Sequence, residues 1–189
     1  MTGNIKDNEN KVREAAEFAV ATASRLGATA SDAAASMDSG LSVTVRKGEV
    51  ETLEYHQGQN FSVTVYDGQR KGSASSTDLS QQAIEEAVTA AMGIARHTSE
   101  DPCAGLPPAE RMATHFPDLD LYHPWDLSAE DAIELAKKGE AAALAYDSRI
   151  KASDGASVNA FSGVSALANS NGFVGSKLGS RHSGSCTMI

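Results

Sequence analysis

The sequence predicts an α+β protein: an antiparallel β-meander covered by helices, followed by a second helix-plus-antiparallel-strand module that reads as truncated. Three observations predict it. From Leu41 to Asp78, apolar and polar residues alternate in runs joined by Gly-centred turns, the pattern of strands with one buried and one wet face. On either side of that stretch lie alanine-rich stripes at helical spacing, which supply the cover that a lone meander needs. Beyond Arg149 the chain returns to short apolar runs punctuated by glycine.

In chain order, the first helix is expected from about Glu9 to Leu26. Val12, Ala16, Ala19, Ala23 and Leu26 form its stripe, and Gly27 sits where a C-terminal cap belongs. Small residues from Ala33 to Met37 make a weak first strand. Leu41, Val43 and Val45 make a stronger one, reversed at Lys47-Gly48. Val50, Leu53 and Tyr55 mark the next strand, which Gln57-Gly58 is expected to close; Phe61, Val63 and Val65 then alternate up to the hairpin dipeptide Asp67-Gly68.

Gln69 to Asp78 is small, hydroxyl-rich and basic at its start. A phosphate loop needs four residues between its glycines and then Lys-Ser/Thr, whereas Gly68 and Gly72 have three between them and serine follows, so a fourth strand ending in a helix cap fits better. The second helix is expected to start near Asp78 or Ser80 and to run to about His97, with Asp78 and Gln81 at capping-box spacing and Ile84, Ala87, Val88, Ala91 and Ala95 inward. Ser99 to Pro102 ends it.

All five prolines lie between Pro102 and Pro124. This segment reads as a surface connector with Phe116, Tyr122 and Trp125 tucked in, which divides the chain into an N-terminal α/β domain (1–100), a connector (101–127) and the start of a central domain (128–189). The third helix starts at Ser128, with Asp131 three residues on, and its apolar face of Ala132, Ile133, Ala136, Ala143 and Leu144 runs to about Tyr146. Strands are expected over 150–153, 156–161, 164–169 and 173–178, with a hairpin turn at Asn171-Gly172. The sequence stops inside a strand-like run at Ile189, which reads as a fragment with a sheet edge left open to self-association.

Bulk properties exclude several function classes. Sixteen Lys plus Arg against twenty-five Asp plus Glu give a net charge of −9, without the basic footprint that nucleic acid or an anionic membrane would need. No run approaches the ~18 apolar residues of a membrane span, and the first residues are too polar for a signal peptide, so a cytoplasmic location is expected. Cys103 and Cys186 lack metal-ligand spacing and read as reduced thiols.

The runs VRKGEVETLEY, VTVYDGQRKGSASSTDLS, IARHTSEDPCAGLP and DLDLYHPWDLS, with NSNGFVGSKLGSRHSGSC, resemble the PmbA/TldD family, on its PmbA (TldE) side. In that family, TldD-type subunits carry a zinc peptidase site on a His-Glu-x-x-x-His helix, and PmbA-type subunits lack the ligands and pair with them. The resemblance therefore implies the N-terminal part of a structural, substrate-restricting subunit of a heterodimeric zinc metalloprotease acting on unfolded peptides. Zinc is expected in the TldD-like partner and no cofactor in this chain. The alternative is a non-catalytic binding or regulatory module of the gyrase-modulator type.

The residues agree with a non-catalytic chain. Zinc hydrolysis needs two imidazoles on one helix face and a carboxylate, but His56, His97, His115, His123 and His182 are each followed by a residue other than Glu and lie far apart. Ser180 to Cys186 brings His, Ser and Cys close in sequence, yet strand neighbours point to opposite faces and make poor catalytic partners. Glu49, Glu51 and Glu54 read as a solvated edge. Arg70, Lys71, Ser73, Ser75 and Thr77 are the candidates for holding an anionic group such as a peptide carboxylate, or for facing the partner subunit.

Overall fold

The computed structural model describes residues 5–189. A 3-10 turn, Ile5–Asn8, leads into α1 (Glu9–Arg25); β1 (Ala30–Arg46), β2 (Glu49–Asp67) and β3 (Arg70–Ser76) follow, then α2 (Gln81–His97), α3 (Ala129–Ala145), β4 (Ser153–Asn169) and β5 (Val174–Met188). The strands form one five-stranded sheet in the order β3-β2-β1-β4-β5. This is the α+β architecture that the alternation and the alanine stripes predict.

The described chain divides into two compact units. One takes the chain up to Met37 with Gly58–Leu119 and Val164–Leu178; the other takes Asp38–Gln57, Asp120–Gly163 and Gly179–Ile189. In the first, α1 and α2 pack on each other and α2 lies on β3. Alternation decides what is buried there: Ala33, Ala35 and Met37 of β1 and Phe61, Val63 and Val65 of β2 are inside, with Ile84, Val88 and Ala91 of α2. In the second, α3 buries Ala132 and Ala136 against Leu41, Val43, Val45 and Val158. Hydrogen bonds from Ser42 to Asn159 (2.6 Å) and between Thr44 and Ser157 (3.0 Å) show β1 and β4 running antiparallel.

Helix ends follow local chemistry. Gly27, at φ +90, closes α1 by giving its N–H to Ser24 O while Ala28 N–H reaches Ala23 O, the paired bonds of a Schellman cap. Ser128 caps α3 as expected, accepting from Asp131 N–H. Of the two expected starts of α2, Ser80 is the cap and Asp78 supports it. Ser80 Oγ accepts from Ala83 N–H, and Asp78 holds it by accepting from its N–H and hydroxyl.

Several expected breaks are absent. The segments Ala33–Met37 and Leu41–Arg46 join into β1, the expected turn at Gln57-Gly58 is straight strand inside β2, and the short runs after Arg149 join into β4 and β5. Glycine was the misleading signal. Among the described glycines only Gly27, Gly48, Gly68, Gly155 and Gly172 take positive φ, whereas Gly40 makes room for the Phe161 ring, whose nearest carbon an added Cβ would meet at 2.3 Å. Leu26 and Leu144 are exposed, and so are Phe116 and Trp125, which the sequence placed inside. Each aromatic has an edge contact instead, Phe116 with Phe173 and Trp125 with His182.

Packing of α2 on β3 is close enough to test. A Cβ at Gly72 would lie 2.1 Å from Ala91 O and 2.5 Å from Ala95 N, while one at Gly93 would meet nothing within 4 Å. Gly72→Ala is expected to lower the unfolding free energy by about 1–3 kcal/mol, and Gly93→Ala to raise it by up to about 1 kcal/mol. Urea midpoints of the two variants check both signs.

Candidate functional site

Strand β3 pairs antiparallel with β2, Lys71 opposite Tyr66, Ser73 opposite Thr64 and Ser75 opposite Ser62. Alternation separates the five candidate residues. Lys71, Ser73 and Ser75 are exposed on one face, whereas Arg70 lies with buried Gly72 on the other and donates to Glu100 at 3.1 Å. Thr77 lies beyond the strand. The structure thus brings Lys71, Ser73 and Ser75 beside Ser62, Thr64 and Tyr66, with Thr64 and Ser73 hydroxyls 3.1 Å apart. Sequence reasoning missed the β2 members, which it counted only as the wet face of a strand.

Two shifted groups share that unit. Burial pushes the Asp32 carboxyl above its ordinary range, and burial and then the Asp32 charge push the Tyr66 phenol up. Thr29 Oγ donates to Tyr66 O (2.9 Å) and accepts from Gly68 N–H (3.0 Å), which ties the end of β2 to the start of β1.

In the other unit a carboxylate sits under a turn. Glu140, one helical turn beyond Ala136 on the buried stripe of α3, is 2% exposed. Its two oxygens accept the N–H groups of Lys47 and Gly48, each at 2.7 Å. Those turn residues hold φ of 55 and 78, so the carboxylate fixes a left-handed turn that the non-glycine Lys47 resists. The Ser153 hydroxyl, then the Gly48 and Lys47 amides, hold the Glu140 carboxyl below the usual carboxylate range against the opposing effect of burial. An acid at the third position of an apolar i, i+4 series was the available signal.

Potential nucleophiles and ligands stay apart. His182 and Cys186 are four positions apart on β5, roughly 13 Å along a strand. Burial, then the charge of Glu140, pushes the Cys186 thiol up, away from the thiolate a nucleophile needs. His56 meets Glu54 and the Phe161 ring, and His123 meets Asp120. Among the described residues no three His, Cys, Asp or Glu side chains are grouped to hold a metal ion. No described helix is long and apolar enough to cross a membrane.

Comparison with known proteins gives a consistent picture. Residues 31–95 match the family model described as PmbA/TldA metallopeptidase domain 1, and residues 122–189 match the PmbA/TldA metallopeptidase central domain. Metalloprotease PmbA homolog of Haemophilus influenzae is 45% identical over 188 residues, 100% of this chain and 42% of that protein. Metalloprotease PmbA of Escherichia coli O157:H7 is 47% identical over 180 residues, 94% of this chain and 40% of that protein. The chain therefore spans about two fifths of these relatives. Among solved structures, a candidate modulator of DNA gyrase from Bacteroides thetaiotaomicron superposes with TM-score 0.83 at 26% identity, over 93% of this chain and 40% of the other. TldE from Thermococcus kodakarensis shares the fold at TM-score 0.73 and 17% identity, over 91% of this chain and 38% of the other.

The Glu140 clamp predicts a pH signature. At neutral pH, Glu140→Gln is expected to cost about 1–3 kcal/mol of unfolding free energy, because one of the two turn amides loses its charged acceptor. A carboxyl whose pKa falls on folding stabilises the protein above its unfolded value, and that stabilisation is lost as pH falls through the folded value. The gap between wild type and variant should hold from neutral pH down to the ordinary glutamate value of about 4.3 and close below it. Urea unfolding at a series of pH values measures this.

Proposed function

The chain belongs to the PmbA/TldD metallopeptidase family, and on that premise we propose that it is the N-terminal portion of a PmbA/TldE-type subunit. In this reading the subunit pairs with a TldD-like subunit that holds zinc, and the pair cleaves unfolded peptides in the cytoplasm. This portion builds the wall of the chamber and restricts entry; it performs no hydrolysis. The observation that carries the reading is the 45–47% identity to PmbA metalloproteases across nearly the whole chain. The scattered histidines support placing the metal on the partner, since none of them has the neighbours a hydrolytic zinc needs. Two free cysteines support a reducing compartment. The family models, at 31–95 and 122–189, support a domain boundary within the connector at 101–127.

For the contact itself, we assign Lys71, Ser73 and Ser75 on the exposed face of β3 to the partner subunit or to a peptide carboxylate. Arg70 and Thr77 flank them. Arg70 is already engaged by Glu100, so its role is to steady the strand end. A second reading, a non-catalytic module of the gyrase-modulator type, is favoured by the description of the Bacteroides neighbour. The net charge of −9 weighs against any direct hold on DNA in that reading.

The test measures bound metal and peptide hydrolysis for the whole protein alone and mixed with a TldD-like subunit. Hydrolysis is expected only in the mixture, with zinc on the partner, and Lys71→Glu should weaken pairing about tenfold while leaving the melting temperature unchanged. Stoichiometric zinc and hydrolysis from the protein alone would overturn the accessory role. A stable gyrase complex without pairing would favour the second reading.

A further inference from the structure

The turn between β4 and β5 carries a chemistry that the subunit reading leaves unused. Asn171-Gly172 is the only Asn-Gly pair in the sequence. Such a pair is chemically labile, because glycine has no side chain to shield its nitrogen from the asparagine side-chain carbonyl before it. Here Gly172 turns the chain at φ +86, and both residues are exposed. Exposure would leave the pair open to reaction, yet the groups that have to move are held.

Asn169, 6% exposed, holds the main chain of the turn. Its Oδ1 accepts the N–H groups of Asn171 at 3.0 Å and Phe173 at 3.2 Å, and its main-chain O accepts Gly172 N–H at 3.1 Å. That last bond keeps the proton on the nitrogen that would attack. The side chain of Asn171 is held from outside the turn, where Nδ2 donates to Pro107 O at 2.9 Å. A main-chain carbonyl can only accept, so the amide nitrogen, the leaving group of the reaction, is the atom that faces it. Held there, Asn171 Cγ is kept from swinging onto Gly172 N. Pro107 belongs to the connector, which fastens to the same turn at two further points. Asn169 Nδ2 reaches Met112 Sδ at 3.8 Å, and the Phe116 and Phe173 rings meet edge-on at 5.5 Å. All of these residues lie in the first unit.

We propose that Asn171 is a site of spontaneous covalent modification gated by the connector: it converts to isoaspartate or aspartate when the tie to Pro107 opens, and conversion abolishes the tie. In the open turn Gly172 N gives its proton to hydroxide and attacks Asn171 Cγ. The N–Cγ bond forms, the Cγ–Nδ2 bond breaks, and ammonia leaves a cyclic imide. Water then adds to one of the two imide carbonyls and opens the ring. Opening at the former main-chain carbonyl gives isoaspartate, with the chain routed through Cγ, and opening at Cγ gives aspartate; no electrons are gained or lost. Either product sets a carboxylate oxygen where Nδ2 faced Pro107 O, acceptor against acceptor, so the connector does not refasten there. Isoaspartate also adds a methylene to the main chain of a tight turn. The change runs one way and records how often the connector has lifted.

The test concerns atoms of this chain alone and stands apart from the subunit reading. The folded protein is incubated at mildly alkaline pH in water enriched in heavy oxygen, and peptide mass spectrometry locates the oxygen taken up; the same protein in guanidinium chloride is the unfolded reference. In the denaturant Asn171 is expected to convert before any other asparagine. In the folded protein its conversion should be at least about tenfold slower, since it waits for local opening. Asn169→Ala, which removes both Oδ1 contacts, should convert Asn171 at least about threefold faster than wild type while still folded. Asn171→Asp carries the carboxylate of the product and reads the connector directly. Trypsin is expected to cut after the exposed Arg111 at least about threefold faster in that variant, with cleavage after Lys138 inside α3 unchanged. Should Asn169→Ala fail to fold, the Asn171→Asp cleavage decides alone. Equal conversion in folded and unfolded protein, earlier conversion of another asparagine in the denaturant, a folded Asn169→Ala protein no faster than wild type, or unchanged cleavage after Arg111 in Asn171→Asp would each overturn the proposal.

Discussion

Close approach of backbone to backbone is the constraint on which this fold depends. The inward faces of α1 and α2 are mostly alanine, with Ala15, Ala16, Ala19, Ala23, Ala87, Ala91 and Ala95 all buried. An alanine buries little area, so such a face contributes less by hydrophobic transfer than a leucine face would. What it offers is proximity, and with proximity many dispersion contacts per unit area. Gly72 marks the limit of this design: α2 passes so near β3 that a single methyl group would overlap the carbonyl of Ala91. Large side chains are correspondingly few inside. Phe61 and Ile84 are the bulkiest of the fully buried apolar residues.

The second unit solves a different problem with a charge. A tight turn at Lys47-Gly48 leaves two amides pointing inward, and a helix made of small residues leaves room above them. Glu140 fills that room and satisfies both amides at once, with Ser153 as a third donor. A buried carboxylate with no cationic partner is ordinarily unfavourable, and three donors from the protein offset the lost hydration. Its position explains why the turn tolerates a non-glycine residue at positive φ, and why the lowered carboxyl in this unit marks a structural clamp in place of a catalytic acid.

Much of the architecture was legible in the sequence because the governing signals are local. Alternation in Leu41–Arg46 and Phe61–Val65, the hairpins at Lys47-Gly48 and Asp67-Gly68, and the Gly27 and Ser128 caps each depend on residues within a few positions of one another. Strand length was not legible, because glycine both turns a chain and lets a neighbour lie across it. Gly40 serves Phe161, which is distant in sequence, and no local pattern distinguishes that from a turn. The same limit applied to the site residues. Lys71, Ser73 and Ser75 were found by composition, but Arg70 was assigned with them until the alternation of β3 turned it to the other face, toward Glu100. Glu140 and the turn it clamps lie tens of positions apart and have no one-dimensional trace beyond an acid on a helix.

The two outer strands show how differently one sheet can treat its edges. β3 is seven residues long, begins with Arg70 and Lys71, and is held by α2, features that discourage unplanned pairing. β5 is fifteen residues long, and its second half is serine, glycine, cysteine and threonine around one histidine, with no charge after Arg181. The connector covers it near Ser180 and reaches His182 through Trp125. The two edges thus differ in what guards them, charge and a covering helix at β3 and the connector at β5.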